Sequence, residues 1–135
     1  MKRTKLIAAA LTGAVMPMLA LPVAASDEIG KEQYDQNCAA CHGATGTGNG
    51  DLSELMTVKV PDLTGIKAAN DGVFPTLKII HIVDGRSGVR GHGYPMPVWG
   101  DHYKSALGDI GDYAAEIDVR GRILSLVYYL DSLQK

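Results

Sequence analysis

Two thiols and an imidazole lie close together in this chain of 135 residues. The run Cys38, Ala39, Ala40, Cys41, His42 has the form C-x-x-C-H. Thiols two residues apart can each add to a vinyl group of one porphyrin, and the following histidine is then placed beneath the iron. The spacing therefore predicts one haem c attached covalently through Cys38 and Cys41, with its iron bound by His42.

The same residues allow three other interpretations. A thioredoxin-like redox pair also uses C-x-x-C, but it needs a βαβ setting that this sequence does not predict. A zinc site needs two more closely spaced ligands, whereas His81, His92 and His102 are ten or eleven residues apart. A disulfide would close a very small loop, remove little unfolded-state entropy and leave His42 unexplained. Covalent haem accounts for all three side chains.

The first 25 residues have the order of a secretory signal peptide. A basic start, Met1 to Lys5, precedes an apolar run from Leu6 to Ala25 that ends in small residues. An uncleaved membrane anchor is the alternative, because the run is nearly long enough to span a bilayer, but Pro17 and Pro22 interrupt it. We expect a signal peptide over residues 1–25, cleavage near Ala25, a single domain over residues 26–135 and a periplasmic location.

Charge narrows the classes of partner. Cleavage near Ala25 removes three of the thirteen basic residues and none of the fifteen acidic ones, so the mature chain has a net charge of −5. An acidic surface argues against binding nucleic acid or anionic lipid. It favours redox partner proteins with a basic docking patch, and membrane contact only through partner complexes.

Periodicity predicts a helix at each end of the mature chain. Residues 27–41 have helical character, with Gly30, Tyr34 and Cys38 on one face. The four glycines between residues 43 and 50 indicate a loop. The last helix is the clearest element, with an apolar stripe of Val119, Ile123, Leu126, Val127 and Leu130.

The middle of the chain has weaker signals. Residues 52–56 are predicted to form a helical turn. Residues 60–64, which include Pro61, are predicted to be extended, because the residue before a proline avoids the helical region. A short helix is predicted over residues 75–83, with Leu77, Ile80 and Val83 facing inward. Glycine and proline dominate residues 84–100, which predicts a long loop. Since no alternating strand pattern extends beyond a few residues, the chain is predicted to be helix and loop.

Over most of its mature length the sequence resembles the class I cytochrome c family. Gly30, Tyr34 and Cys38 look like the first helix of that family, and Tyr129 with Leu130 like the aromatic and leucine of its last helix. The resemblance implies an all-α class I cytochrome c fold, in which the N- and C-terminal helices pack around a covalently bound haem with long loops. A glycine at position 30 would let the two helices cross closely.

Two further segments carry the resemblance and imply site residues. Residues 61–63 are similar to the segment in which a proline carbonyl accepts a hydrogen bond from the axial histidine, which assigns that role to Pro61. Residues 93–101 are similar to the methionine loop, which makes Met96 the sixth ligand of the iron. Met56 is the other methionine left after cleavage, but it lies only fourteen residues past His42. His92 is an alternative sixth ligand, because imidazole also binds haem iron.

Other parts of the resemblance are less specific. Arg86, Arg90 and Trp99 are candidates to donate hydrogen bonds to the haem propionates. Residues 103–118, between the methionine loop and the last helix, are longer and more acidic than in the smallest members of the family.

Iron with both axial positions filled by His and Met has no open site and passes single electrons. The leading hypothesis is therefore a periplasmic single-electron carrier, with no small-molecule substrate and no enzymatic activity. One alternative is a haem enzyme or small-gas binder with a displaceable sixth ligand. Another is a docked electron-transfer subunit of an oxidoreductase complex, with acidic residues 109–118 at the interface.

Overall fold

The computed structural model describes residues 25–86 and 96–135, and the helices within them form an all-α fold without strands. Two short 3-10 turns, Ser53–Leu55 and Ala68–Asn70, accompany five α-helices: α1 (Ala25–Asn37), α2 (Ala39–His42), α3 (Thr76–Asp84), α4 (Trp99–Ala106) and α5 (Asp112–Ser132). The all-α prediction is confirmed. Of the described helices, not one combines the length and apolar character needed to span a bilayer. The predicted signal peptide lies almost wholly outside the described residues and stays a prediction.

The crossing of α1 and α5 is the main packing contact of the fold. At the crossing, a Cβ on Gly30 would lie 2.2 Å from the carbonyl oxygen of Ser125 and 2.8 Å from the Cβ of Tyr129. Only glycine allows the two helix backbones to approach this closely. One turn further along α1, the fully buried Tyr34 packs its ring 5.3 Å from that of Tyr129. The first and last helices therefore meet as the resemblance implies.

Replacing Gly30 with alanine is expected to destabilise the haem-loaded protein by about 1 to 3 kcal/mol, because the added methyl group must push two backbones apart. Gly121 in α5 is the matched control, since a Cβ there meets no atom within 4 Å. Gly121→Ala is expected to be neutral or to stabilise by up to about 1 kcal/mol through helix propensity. Denaturant unfolding followed by far-UV circular dichroism measures both. Equal stability of Gly30→Ala and the parent protein would contradict the close crossing.

The core lies between α5 and the elements that cross it. The stripe predicted for the last helix is buried throughout, with Val119, Ile123, Leu126, Val127 and Leu130 each at most 5% exposed. In α3 the buried residues are Ile79 and Val83, while Leu77 is 67% exposed. The inward orientation predicted for Leu77 is wrong. Around the helix, Leu77 lies between Asp84 and His81, outside the apolar arc of Ile79, Ile80, Ile82 and Val83.

A fourth helix occupies a region where we predicted only loop and acidic segment. Helix α4 begins at Trp99, one residue before the predicted end of the long loop, and buries Trp99, Gly100 and Tyr103. The rings of Trp99 and Tyr103 lie 5.7 Å apart on one face of the helix. The last helix extends into the acidic segment, because α5 already begins at Asp112.

Candidate haem-binding site

The C-x-x-C-H residues lie at the junction of α1 and α2. The amide of Cys38 donates to the carbonyl of Tyr34 at 2.8 Å, and the amide of His42 donates to the carbonyl of Cys38 at 2.8 Å. Helical hydrogen bonding thus continues through the junction and fixes the orientation of the three side chains. The two sulfur atoms are not joined in a disulfide; Cys38 is buried and Cys41 partly buried.

The environment of Cys38 does not suit redox chemistry of a thiol. Burial, helped by the neighbouring Cys41, raises the pKa of Cys38 to about 12. A reactive cysteine needs the thiolate, and cysteines in apolar surroundings are inert. This disfavours the thioredoxin-like alternative. A thioether carries no charge and accepts such burial.

His42 is held in the form that an iron ligand requires. Its side chain is buried, and its Nδ1 lies 3.3 Å from the carbonyl oxygen of Pro61. Burial lowers the pKa of His42, an effect that the Pro61 carbonyl partly opposes. The ring is therefore neutral near pH 7, and a donated Nδ1–H leaves Nε2 available as the ligand atom. The contact is present, and the ligation that it would support stays a prediction.

The glycine-rich loop places Pro61. Gly48 has a φ of +80°, and a Cβ there would lie 2.6 Å from the carbonyl oxygen of Val60 and 3.1 Å from that of Pro61. The amide of Gly48 donates to the carbonyl of His42 at 2.8 Å. The loop thus connects the histidine to the segment that carries its carbonyl partner. The sequence predicted this loop, but its role in supporting Pro61 becomes visible only in three dimensions.

A cavity opens beside these residues, with about 400 Å³ of empty space that includes part of the open solvent. Its walls are largely aliphatic, which suits the apolar face of a porphyrin. The lining residues are Tyr34, Cys38, His42, Leu63, Ile66, Ile79, Ile82, Val83, Met96, Leu126 and Leu130.

The residues present fit a covalently attached haem. One thiol of the motif, the motif histidine and the predicted methionine ligand, which are Cys38, His42 and Met96, all line the same cavity. Met56 is not among the lining residues. The structure therefore brings Met96, and not Met56, to the site, while ligation by Met96 stays a prediction. His92 and Arg90 lie outside the described residues.

Two buried hydrogen-bond donors also suit a bound haem. Trp99 Nε1 and the Tyr103 hydroxyl are buried and have no hydrogen-bond partner in the part of the chain that the structure describes. Buried donors of this kind usually have an acceptor. The carboxylates of haem are suitable acceptors, so Trp99 stays a candidate for that role. Sequence reasoning missed Tyr103, although its spacing of four residues from Trp99 is the signal of a shared helix face.

Arg86 belongs to a cluster of ion pairs. Its guanidinium hydrogen-bonds to the carboxylates of Asp84 and Glu116, with distances of 2.8 and 3.2 Å to the two oxygens of Glu116. These contacts engage the planar fork on both sides. The structure therefore places Arg86 in an ion-pair cluster, and a hydrogen bond from it to a haem propionate stays a prediction.

Similarity to known proteins agrees with a haem site at these residues. A family model described as cytochrome c matches residues 28–113, a span that contains the C-x-x-C-H motif, Pro61 and Met96. A cbb3-type cytochrome c oxidase subunit CcoP from Azospirillum brasilense is 41% identical over 76 residues, which cover 56% of this chain. The aligned region is 23% of that relative, so the chain spans less than a quarter of its length. No solved structure gives a significant match.

Proposed function

The chain belongs to the cytochrome c family, and from this membership we propose that it is a periplasmic single-electron carrier with His42 and Met96 as axial ligands of its haem. Proteins of the family bind haem c covalently and transfer electrons, and Cys38, Cys41 and His42 match the family's attachment motif. The observation that carries the proposal is the shared cavity, in which Cys38, His42 and Met96 converge.

The residues of the chain account for the expected properties of a carrier. When bound, haem supplies an iron that accepts and returns one electron. The neutral imidazole of His42 and the soft thioether of Met96 would fill both axial positions and favour the reduced state. The largely aliphatic walls offer few hydrogen-bond partners to water, and buried side chains held by packing reorganise little. The arrangement therefore suits electron transfer without a substrate pocket.

The N-terminal segment supports the proposed location. Its basic start, apolar middle and small-residue end direct the chain to export, and c-type haem attachment fits a compartment outside the cytoplasm. We propose that the signal is cleaved near Ala25. Recovery of the protein in the cytoplasmic fraction with its first 25 residues intact would overturn this part of the proposal.

Most acidic residues of the segment 109–118, which was predicted as an interface, form ion pairs within the chain. In residues 109–118, Asp112 pairs with Lys104, Glu116 with Arg86 and Arg120, and Asp118 with Arg122. Most of the acidic charge in this segment is therefore compensated within the chain. A basic partner would respond to the net charge of the whole mature chain more than to this segment.

Electron exchange with a positively charged redox protein is expected to slow about tenfold between low and physiological ionic strength, because salt screens the attraction that speeds encounter. Stopped-flow mixing of the reduced protein with the partner measures the rate. An uncharged small-molecule oxidant is the control, and its rate should change little. A rate that rises with salt would contradict docking by an acidic surface.

A second candidate is a docked electron-transfer subunit of an oxidoreductase complex. The observation that favours it is the similarity to a relative named as an oxidase subunit. The two candidates share the same chemistry and differ in partnership. Gel filtration of native extract separates them, since a free carrier elutes at the size of one small domain and a subunit with its complex.

A further inference from the structure

An ion-pair cluster of Asp84, Arg86 and Glu116 lies where α3, α4 and α5 meet. Asp84 is the last residue of α3, Arg86 follows two residues later, and Glu116 belongs to α5. Arg86 donates through Nη1 and Nη2 to Glu116 and through Nε and Nη2 to Asp84, so both carboxylates are engaged by one guanidinium. A planar fork bound on two sides is more restrictive than a single ion pair.

Two glycines bring the same backbone segments into direct contact. Gly85 ends α3 with a φ of +73°, and a Cβ there would lie 3.1 Å from a methyl carbon of Val98 and 3.3 Å from its Cα. On the other side, a Cβ on Gly100 would lie 2.0 Å from Oδ1 of Asp84 and 2.4 Å from Nε of Arg86. Because neither glycine has a side chain, the segment with Gly85 and the segment with Gly100 can pack directly against each other.

These contacts connect the two segments that flank residues 87–95. Residues 84–86 lie on one side, residues 98–100 on the other, and the carboxylate of Glu116 ties the first to α5. Met96 is two residues from Val98, and it lines the cavity together with Val83, which immediately precedes Asp84. The position of Met96 relative to the cavity thus depends on how firmly the flanking segments are joined.

We propose that Arg86 is a positioning residue for Met96, acting through the cluster with Asp84 and Glu116 to hold the methionine in reach of the iron. This inference rests on the proposed function, because it takes Met96 as the sixth ligand. This role requires no contact between Arg86 and the haem or the iron. Its effect is on how readily another ligand replaces the methionine.

Charge keeps the cluster intact over the physiological range. Hydrogen bonds from Arg86 and Arg120 lower the pKa of Glu116 to about 2, and the carboxylates in turn raise the pKa of Arg86. The carboxylate of Glu116 is therefore ionised at all pH values well above 2. Its contribution is fully present above the ordinary glutamate pKa of 4.5 and is lost as the pH falls from there toward 2.

The test is imidazole binding to the oxidised, haem-loaded protein, followed through the absorption band that methionine ligation gives to ferric haem. Arg86→Gln is expected to bind imidazole about five- to tenfold more tightly than the parent, as is typical when one residue biases a local equilibrium. Arg120→Gln is the matched control, because Arg120 pairs with the same Glu116 but does not reach Asp84. Arg86→Lys, which keeps the charge but loses the fork, is expected to lie between Arg86→Gln and the parent.

Three further variants show whether a change in imidazole affinity comes from the cluster, from global stability or from the identity of the ligand. Gly30→Ala lowers global stability at a distance from the cluster, and its imidazole affinity should equal that of the parent. If Arg86→Gln does not fold, Gly100→Ala perturbs the same cluster by displacing Asp84 and Arg86. Equal affinities in the parent, Arg86→Gln and Gly100→Ala would overturn the positioning role. Equal affinities in the parent and Met96→Ala would instead show that Met96 is not the ligand, which is a failure of the proposed function.

Discussion

Met96→Ala is expected to retain its covalent haem but to open the iron to carbon monoxide in the reduced state. The thioether favours ferrous iron, so its loss should also lower the reduction potential by on the order of 0.2 V, within the roughly 0.8 V that axial ligands span. Carbon monoxide binding by absorption spectroscopy and a potentiometric titration measure the two effects.

Met56→Ala is the matched control for this result. Met56 follows the first 3-10 turn and is absent from the cavity lining, so its removal should change neither property. A Met96→Ala protein with unchanged potential and no carbon monoxide binding would refute Met96 as the ligand. In that case His92→Ala, tested in the same way, would show whether the alternative imidazole ligates the iron.

Joint replacement of both motif cysteines is expected to have the largest effect on folding. Without attached haem, the buried side chains that line the cavity lose the group that they would pack against. Emptying the site of one large buried side chain costs about 3 to 5 kcal/mol, and haem is larger than any side chain. The loss is therefore comparable with the total stability of a small domain, about 5 to 15 kcal/mol. Cys38→Ala with Cys41→Ala should therefore yield little folded protein.

Far-UV and near-UV circular dichroism of the double variant measure its folding, and acid-acetone extraction measures attachment of haem. Cys41→Ala alone is the control, since Cys38 can still form one thioether and keep the haem bound. A double variant that folds normally without haem would contradict an architecture built around the cofactor.

The terminal helices and the attachment motif could be predicted because their signals are local. The apolar stripe of α5 recurs at helical spacing from Val119 to Leu130, and Gly30 and Tyr34 lie on one face of α1. The C-x-x-C-H motif carries its chemistry within five residues. These predictions need no knowledge of which segments meet in space.

Predictions for the middle of the chain failed where tertiary contacts decide the outcome. Helix α4 follows a stretch rich in glycine and proline, and its burial depends on packing of Trp99 and Tyr103 against the core. In α3, the predicted inward face included Leu77, which lies between Asp84 and His81 outside the apolar arc; Leu77 is exposed, whereas Ile79 within the arc is buried. The cluster around Arg86 joins residues 30 positions apart, a pairing that no local pattern reveals.

The decisive measurement is the absorption spectrum of the protein purified from the periplasmic fraction, oxidised and reduced, with and without carbon monoxide and after acid-acetone extraction. We expect haem to stay with the protein, to be low-spin in both states and not to respond to carbon monoxide. Haem that is extracted by acid-acetone would contradict covalent attachment through Cys38 and Cys41. Haem that stays attached but binds carbon monoxide at once would contradict ligation by Met96 and favour a gas-binding or peroxidase-like site.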